Sequence, residues 1–192
     1  MAVRRAKVII NPVAGVRKNT TKCWSRIQKL LQDGGLVFDE QFSQKRGHAR
    51  DMAFAAVNEG YGLVIAIGGD GTIHEVANGI LSAEKSEQVA LGIISTGTGN
   101  DLIKSVGIPK DYAQACERVL KGRVHRIDVG QVEYTDWEGQ RVTRFFINGT
   151  GVGFDAEVAD GSRHVPRFMG STIPFILSLL KTLPFYRNKK FA

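Results

Sequence analysis

Cysteine is nearly absent: Cys23 and Cys116 are the only two among 192 residues, and neither has a partner at metal-ligand spacing. That excludes a disulfide scaffold and a Cys-based zinc site, and it fits a reducing compartment. No apolar run is long enough to cross a bilayer. The longest, Ile173 to Phe185, is interrupted by Pro174, Lys181 and Pro184, where a span needs about 20 apolar residues. The start, MAVRRAKVIINP, has charges but no apolar stretch ahead of the first strand-like segment, so no signal peptide is expected. These absences predict a soluble, cytoplasmic protein, at most peripheral on a membrane. Acids are missing from the end of the chain: residues 161–192 hold Arg163, Arg167, Lys181, Arg187, Lys189 and Lys190 and no Asp or Glu. The net charge of +7 is therefore a property of this tail. A pI near 9.6 would ordinarily suggest nucleic acid, but the basic residues avoid the glycine-rich segments, so no nucleic-acid partner is expected.

What the chain does have is enough apolar residue for a core, 43% against 23% charged, and 22 clustered glycines. Lys7–Ile10 reads as a buried strand and Asn11-Pro12-Val13-Ala14-Gly15 as a loop. Thr20 or Thr21 then caps a helix with Trp24, Ile27, Leu30 and Leu31 on one face, ended by Gly34-Gly35. Val37–Ser43 is a second strand, and a helix from about His48 to Asn58 turns Met52, Ala53, Ala56 and Val57 inward. Leu63–Ile67 is too short and too β-branched for a helix. Thr72–Leu81 and Asp111–Leu120 read as helices, Ala90–Ile94 and Arg123–Val129 as strands. Strands alternating with helices, several of the strands continuously apolar, predict a parallel sheet covered on both faces.

The pattern changes near Gly130. Gln131–Thr135, an Asp136-Trp137-Glu138-Gly139 turn and Arg141–Asn148 predict an antiparallel hairpin. The expected organisation is an α/β nucleotide-binding domain over 1–129 and a partial β-rich second domain over 130–192, roughly 60 residues and small to stand alone. For Ile173–Phe185 the plainer expectation is an amphipathic helix packed on a sheet with a solvated basic edge; the other is contact with an anionic membrane surface.

The chemistry concentrates in the glycine loops. Gly68-Gly69-Asp70-Gly71-Thr72 sits between a buried strand and a helix, the place where parallel sheets bind ligands. Glycines let backbone approach a phosphate, and a helix start offers unpaired N–H groups and partial positive charge. Thr72 is a candidate helix cap or phosphate ligand. Asp70 would repel a bare anion and makes sense if Mg²⁺ accompanies it. Gly97-Thr98-Gly99-Asn100-Asp101 repeats the arrangement after Leu91–Ile94, and Asn11-Pro12 with Gly15 closes the first strand. Together they describe a nucleotide site with a divalent ion; the alternative is that these glycines only make turns. There is no GxxxxGK[ST] loop, and His74 and Leu102 stand where GxGxxG needs its third glycine. Gly149-x-Gly151-x-Gly153 has the wrong spacing and reads as a tight strand exit with no ribose-binding helix after it.

Taken together, IINPVAG (9–15), GGDGTIHEVANG (68–79), GTGNDLIKSVGIP (97–109), RIDVG (126–130) and FINGTGVGFDAEV (146–158) resemble the diacylglycerol kinase catalytic-domain family in order and spacing. These are the lipid kinases that include bacterial diacylglycerol kinases and sphingosine and ceramide kinases. GGDGT alone is shared with NAD kinases and phosphofructokinases; the full set is not. The resemblance implies an NAD kinase/diacylglycerol kinase-like nucleotide domain, a β-rich second domain, and ATP-dependent phosphorylation of a lipid hydroxyl at a membrane surface. By motif, Asn11, Pro12, Val13, Ala14, Gly15, Ser43, Gly69, Asp70, Gly71, Thr72, Ile73, His74, Glu75 and Thr98 would contact ATP. Asp70, Asp101 and Asp128 would organise Mg²⁺ through water.

Ser43 keeps the hydroxyl where the family commonly has Thr, Ser95 stands where it often has Pro, and Ile103-Lys104 replaces a small-then-Arg pair. The family's acidic general base lies in an Asp-Gly-Glu-type segment that would fall beyond Ala192, so the catalytic base is unassigned and a truncated second domain is expected. The reading is a lipid kinase acting on diacylglycerol or a related lipid. The alternatives are a nucleotide-binding fragment without turnover, or an NAD kinase. No feature sets the oligomeric state.

Overall fold

The computed structural model describes residues 5–15, 19–97, 99–136, 138–162, 164 and 172–187. Four strands, β1 (Ala6–Ile10), β2 (Phe38–Phe42), β3 (Leu63–Gly68) and β4 (Ala90–Ser95), form a wholly parallel sheet in the order β2-β1-β3-β4. Side chains alternate across it, as pleating requires. Val8, Ile10, Ile65 and Ile67 face α1 (Asn19–Asp33) and α5 (Tyr112–Leu120), packing on Trp24, Ile27, Leu31 and Ala115. Ile9, Val64 and Ala66 face the other side and meet Met52, Ala53 and Val57 of α2 (His48–Asn58) and Ile73 and Val76 of α3 (Asp70–Leu81). Leu102 and Ile103 of the short α4 (Asp101–Ser105) complete that layer. All seven sheet residues are fully buried, which is why these runs are apolar throughout.

Each parallel crossover returns over a face of the sheet, so the β-to-α loops gather at its carboxyl edge. The chain leaves β1 toward β2 and leaves β3 toward β4. Neighbouring β1 and β3 thus flank the switch point, where such sheets open a crevice. α2 and α3 pack closely: a Cβ on Gly79 would lie 2.7 Å from the Ala53 Cβ and press on the Arg50 carbonyl.

β5 (Gly130–Thr135) and β6 (Arg141–Phe146) pair antiparallel, with Gly130 opposite Phe146. The turn is organised by Asp136, whose Oδ1 accepts from the amides of Glu138 and Gln140, both at 2.9 Å. Trp137 lies outside the described residues. The chain divides into two compact units, 1–148 and 149–192, so the hairpin groups with the α/β unit. Asn78 explains why: its Nδ2 donates to the Phe145 carbonyl at 2.8 Å and its Oδ1 accepts the Phe145 amide at 3.0 Å.

The second unit contains α6 (Phe154–Ser162) and α7 (Thr172–Thr182), joined where Ser178 Oγ donates to the Val158 carbonyl at 2.7 Å. Among the described residues of this unit there is no strand, so α7 packs on a helix rather than on a sheet, and Ile176, Leu180 and Phe185 stay exposed.

Three local readings change. Thr20 and Thr21 do not cap α1; they lie within it and bond back to the preceding loop, Thr20 Oγ1 to the Ala14 carbonyl and Thr21 Oγ1 to the Pro12 carbonyl. Arg123–Val129 is not a strand. Its residues are exposed, and an extended segment becomes a strand only with a ladder partner, which none of the described strands provides. A helix does follow Gly149–Gly153, because Gly153 takes φ +76° and turns the chain straight into α6.

Candidate functional site

The three glycine loops close into a ring at the β1/β3 edge. In the first, the Asn11 amide extends the ladder by donating to the Ile67 carbonyl at 2.9 Å, and its Oδ1 accepts the Val13 amide at 3.1 Å. Its Nδ2 crosses to the second loop and donates to Thr72 Oγ1 at 2.9 Å. Thr72 folds back over Gly68, where a Cβ would come within 2.6 Å of the threonine Cβ.

The second loop starts α3. Gly69 is the N-cap, without a side-chain bond, and the first intrahelical donors are the amides of Thr72 and Ile73, both to the Gly69 carbonyl. Thr72 is therefore inside the first turn rather than its cap. The amides of Asp70 and Gly71 precede those bonds and form the positive end of the helix dipole.

Asp70 joins the second loop to the third. Its Oδ2 accepts the amide of Asn100 at 2.8 Å. Asn100 is the one non-glycine among the described residues with a left-handed backbone, at φ 59°, a conformation that costs most side chains roughly 1–2 kcal/mol. It is held there by Asp70 and by Ser95 Oγ, which donates to its Oδ1. The other carboxylate oxygen, Asp70 Oδ1, is buried without a hydrogen-bond partner, the single such side-chain atom among the described residues. A buried, unpartnered carboxylate oxygen is costly unless a cation or water completes it, so the chemistry at Asp70 fits a divalent ion or its water. The ring closes below the loops, where Thr20 Oγ1 is hydrogen-bonded to Thr96 Oγ1 at the end of β4.

The fourth loop, after β2, joins the same edge. The Ser43 amide donates to the Ile10 carbonyl at 2.8 Å, beside Asn11, and the Gly47 amide donates to Glu75 Oε1 at 3.0 Å. Glu75 thus fastens this loop to α3. His48 accepts the Gln44 amide on Nδ1, a loop-organising role. His74, partly exposed, has Nε2 beside Asn78 Nδ2 one turn along α3. Burial and then the Arg144 guanidinium hold its pKa below the ordinary imidazole value, with Glu75 acting the other way.

Asn11 to Gly15, Ser43, Gly69 to Thr72 and Glu75 therefore share one edge of the sheet. Ile73 is fully buried in the core, so only its backbone belongs to this edge. Thr98 lies outside the described residues. Asp101 borders the ring at Gly99, whose built Cβ would lie 2.8 Å from Asp70 Oδ2 and 3.6 Å from Asp101 Oδ2. Its Oδ1 pairs with Lys104 Nζ at 3.1 Å. Asp128 stands in the exposed 123–129 segment, and among the described residues no three His, Cys, Asp or Glu side chains cluster as metal ligands. A cleft between α1 and α5 lies away from this edge, and within the second unit a cleft lies between α6 and α7.

The sequence named Thr20, Ser95 and Asn100 without the bonds by which they hold the ring, and it left unmarked Thr96 and the bonds of Asn78 to Phe145. A threonine pair five residues past a glycine loop, and an asparagine on the inner face of a helix, were the available signals.

A profile of the diacylglycerol kinase catalytic domain matches residues 5–132. Diacylglycerol kinases of Staphylococcus saprophyticus and Staphylococcus aureus are 32% and 34% identical over 145 residues, 76% of this chain. The chain spans 44% and 42% of the lengths of those two relatives. The crystal structure of a diacylglycerol kinase from Bacillus anthracis superimposes with a TM-score of 0.57 at 26% identity, covering 73% of this chain and 48% of that one. With this profile covering the sheet, its loops and the start of the hairpin, the chain belongs to the diacylglycerol kinase catalytic domain family.

Proposed function

We propose that the glycine edge binds ATP and that the chain is the nucleotide-binding part of a lipid kinase, which transfers the γ-phosphate to the hydroxyl of diacylglycerol or a related lipid. The observation that carries this reading is the closed ring of loops around the start of α3, with Asp70 Oδ1 buried and unpartnered. Phosphoryl transfer depends chiefly on positioning and charge neutralisation, which such a ring supplies.

In this reading Asn11–Gly15, Ser43, Gly69–Glu75 and Thr98 cradle the nucleotide. Mg²⁺, when bound, offsets the phosphate charge; Asp70 would hold it with Asp101 through water, and Asp128 is assigned to the same set by motif. The relatives' names supply the acceptor class. The lipid would be met at a membrane surface: no helix among the described residues is long and apolar enough to cross one, and the acid-free tail beyond residue 160 suits anionic headgroups.

A nucleotide-binding unit without turnover is the second reading, since no residue named above is assigned as the base for the acceptor hydroxyl. The test is transfer of labelled γ-phosphate from ATP–Mg²⁺ to diacylglycerol or sphingosine in mixed micelles, with NAD as control acceptor. Lipid labelling lost in Asp70→Asn supports the kinase. No labelling by a folded chain that binds ATP supports the second reading, and labelling of NAD alone overturns the lipid acceptor.

A further inference from the structure

We infer that Thr20 and Thr96 are positioning residues for the nucleotide site, because their hydroxyls form a directed chain that aims the Gly15 amide outward as an anion donor. The inference rests on the ATP-binding reading above.

Each hydroxyl has one proton to give. Thr20 Oγ1 donates its proton to the Ala14 carbonyl at 3.3 Å, so in its contact with Thr96 it must accept. The order is therefore Thr96 to Thr20 to Ala14. Both threonines are buried, Thr20 completely, so they lie on the interior side of the loop. The bonded Ala14 carbonyl must point to that interior. Across a planar trans peptide the next N–H points the opposite way. The Gly15 amide consequently faces away from the core, and among the described residues it has no acceptor of its own. Gly15 takes φ +78°, which a glycine adopts without strain. By contrast, the Val13 amide is already occupied by Asn11 Oδ1. The chain also ties the loop after β1 to the end of β4, so a change at Thr96 reaches Gly15 without touching it.

Thr20→Val removes the donor while keeping the side-chain shape, and Thr20→Ser keeps the donor. The readouts are calorimetric affinity for ATP–Mg²⁺, the displacement of the Gly15 amide resonance on titration with ATP–Mg²⁺, and thermal stability. In wild type the Gly15 resonance moves with saturation. In Thr20→Val that movement is lost and affinity falls about threefold to tenfold, the factor expected of one misdirected hydrogen bond; Thr20→Ser restores both. Wild-type affinity in a folded Thr20→Val, or a Gly15 resonance that moves as in wild type, overturns the inference. If Thr20→Val does not fold, Thr96→Val serves, with the same direction and a smaller effect; unchanged affinity there overturns it equally. Failure of the wild-type chain to bind ATP at all would instead sink the reading on which the inference rests.

Discussion

Gly97 lies so close to Gly69 that a Cβ built on Gly97 would stand 2.6 Å from the Gly69 Cα. The loops after β3 and β4 therefore touch backbone to backbone, with the Asp70–Asn100 bond beside the contact. Neither position of the pair is a matter of backbone freedom, since neither glycine has a positive φ; the requirement is space.

Gly97→Ala must push the two loops apart. Overpacking of this kind costs roughly 1–3 kcal/mol, and here the displacement falls on the ring rather than on the sheet core. Urea unfolding is expected to show that modest loss, while ATP–Mg²⁺ affinity drops more than tenfold. A variant that binds as wild type would show the contact to be incidental.

Asn78 is 3% exposed and satisfies both backbone groups of Phe145. Asn78→Ala leaves a part-buried N–H and a carbonyl unpaired, at about 1–3 kcal/mol for a lost partner of this kind. Hydrogen exchange at Phe145 should accelerate, while exchange in β1 and β3 tracks only the global stability. Equal protection at Phe145 in variant and wild type would contradict the clamp.

At the opposite, amino-terminal edge of the sheet, the Tyr61 hydroxyl donates to Asp39 Oδ2 at 2.7 Å, and Arg5 Nε pairs with the same oxygen at 2.8 Å. Burial, and then the bond to Asp39, push the Tyr61 pKa from 10.0 to about 12. The neutral phenol is the form favoured by folding, so its contribution is complete below pH 10 and is lost as pH rises toward 12. Stability measured by urea unfolding should fall by roughly 1–2 kcal/mol across that window, and Tyr61→Phe should flatten the fall. An unchanged slope in the variant would exclude Tyr61 as its source.

β1 and β3 were legible in the sequence because they are buried on both faces, so KVII and LVIAI read as apolar runs whose identity does not depend on partners. The helix over 48–58 was legible for the complementary reason, its inward Met52, Ala53, Ala56 and Val57. Arg123–Val129 misled because the β-branched Val124, Ile127 and Val129 signal a strand only when a neighbouring edge accepts their backbone. At the site, the glycine motifs marked the edge, and the family resemblance named its residues. Which loop holds which was not legible. Thr20–Thr96 and Asp70–Asn100 join residues 76 and 30 positions apart, and such bonds depend on strand order, which local pattern does not encode. Asp70 shows the consequence: read as an ATP contact and a metal carboxylate, it also spends one oxygen holding Asn100 in its left-handed turn.

ATP binding by the ring of glycine loops is proposed to depend on its geometry and on the charge of Asp70. Calorimetric titration of ATP, with and without Mg²⁺, into wild type and Asp70→Asn tests it most directly. The amide oxygen of the asparagine still accepts from Asn100, so the loop is kept and only the charge is removed. Wild type is expected to bind ATP more tightly with Mg²⁺ than without, and Asp70→Asn, equally stable or more so, to lose the Mg²⁺ dependence. A folded wild type that does not bind ATP, or a variant that keeps the full Mg²⁺ dependence, would contradict it.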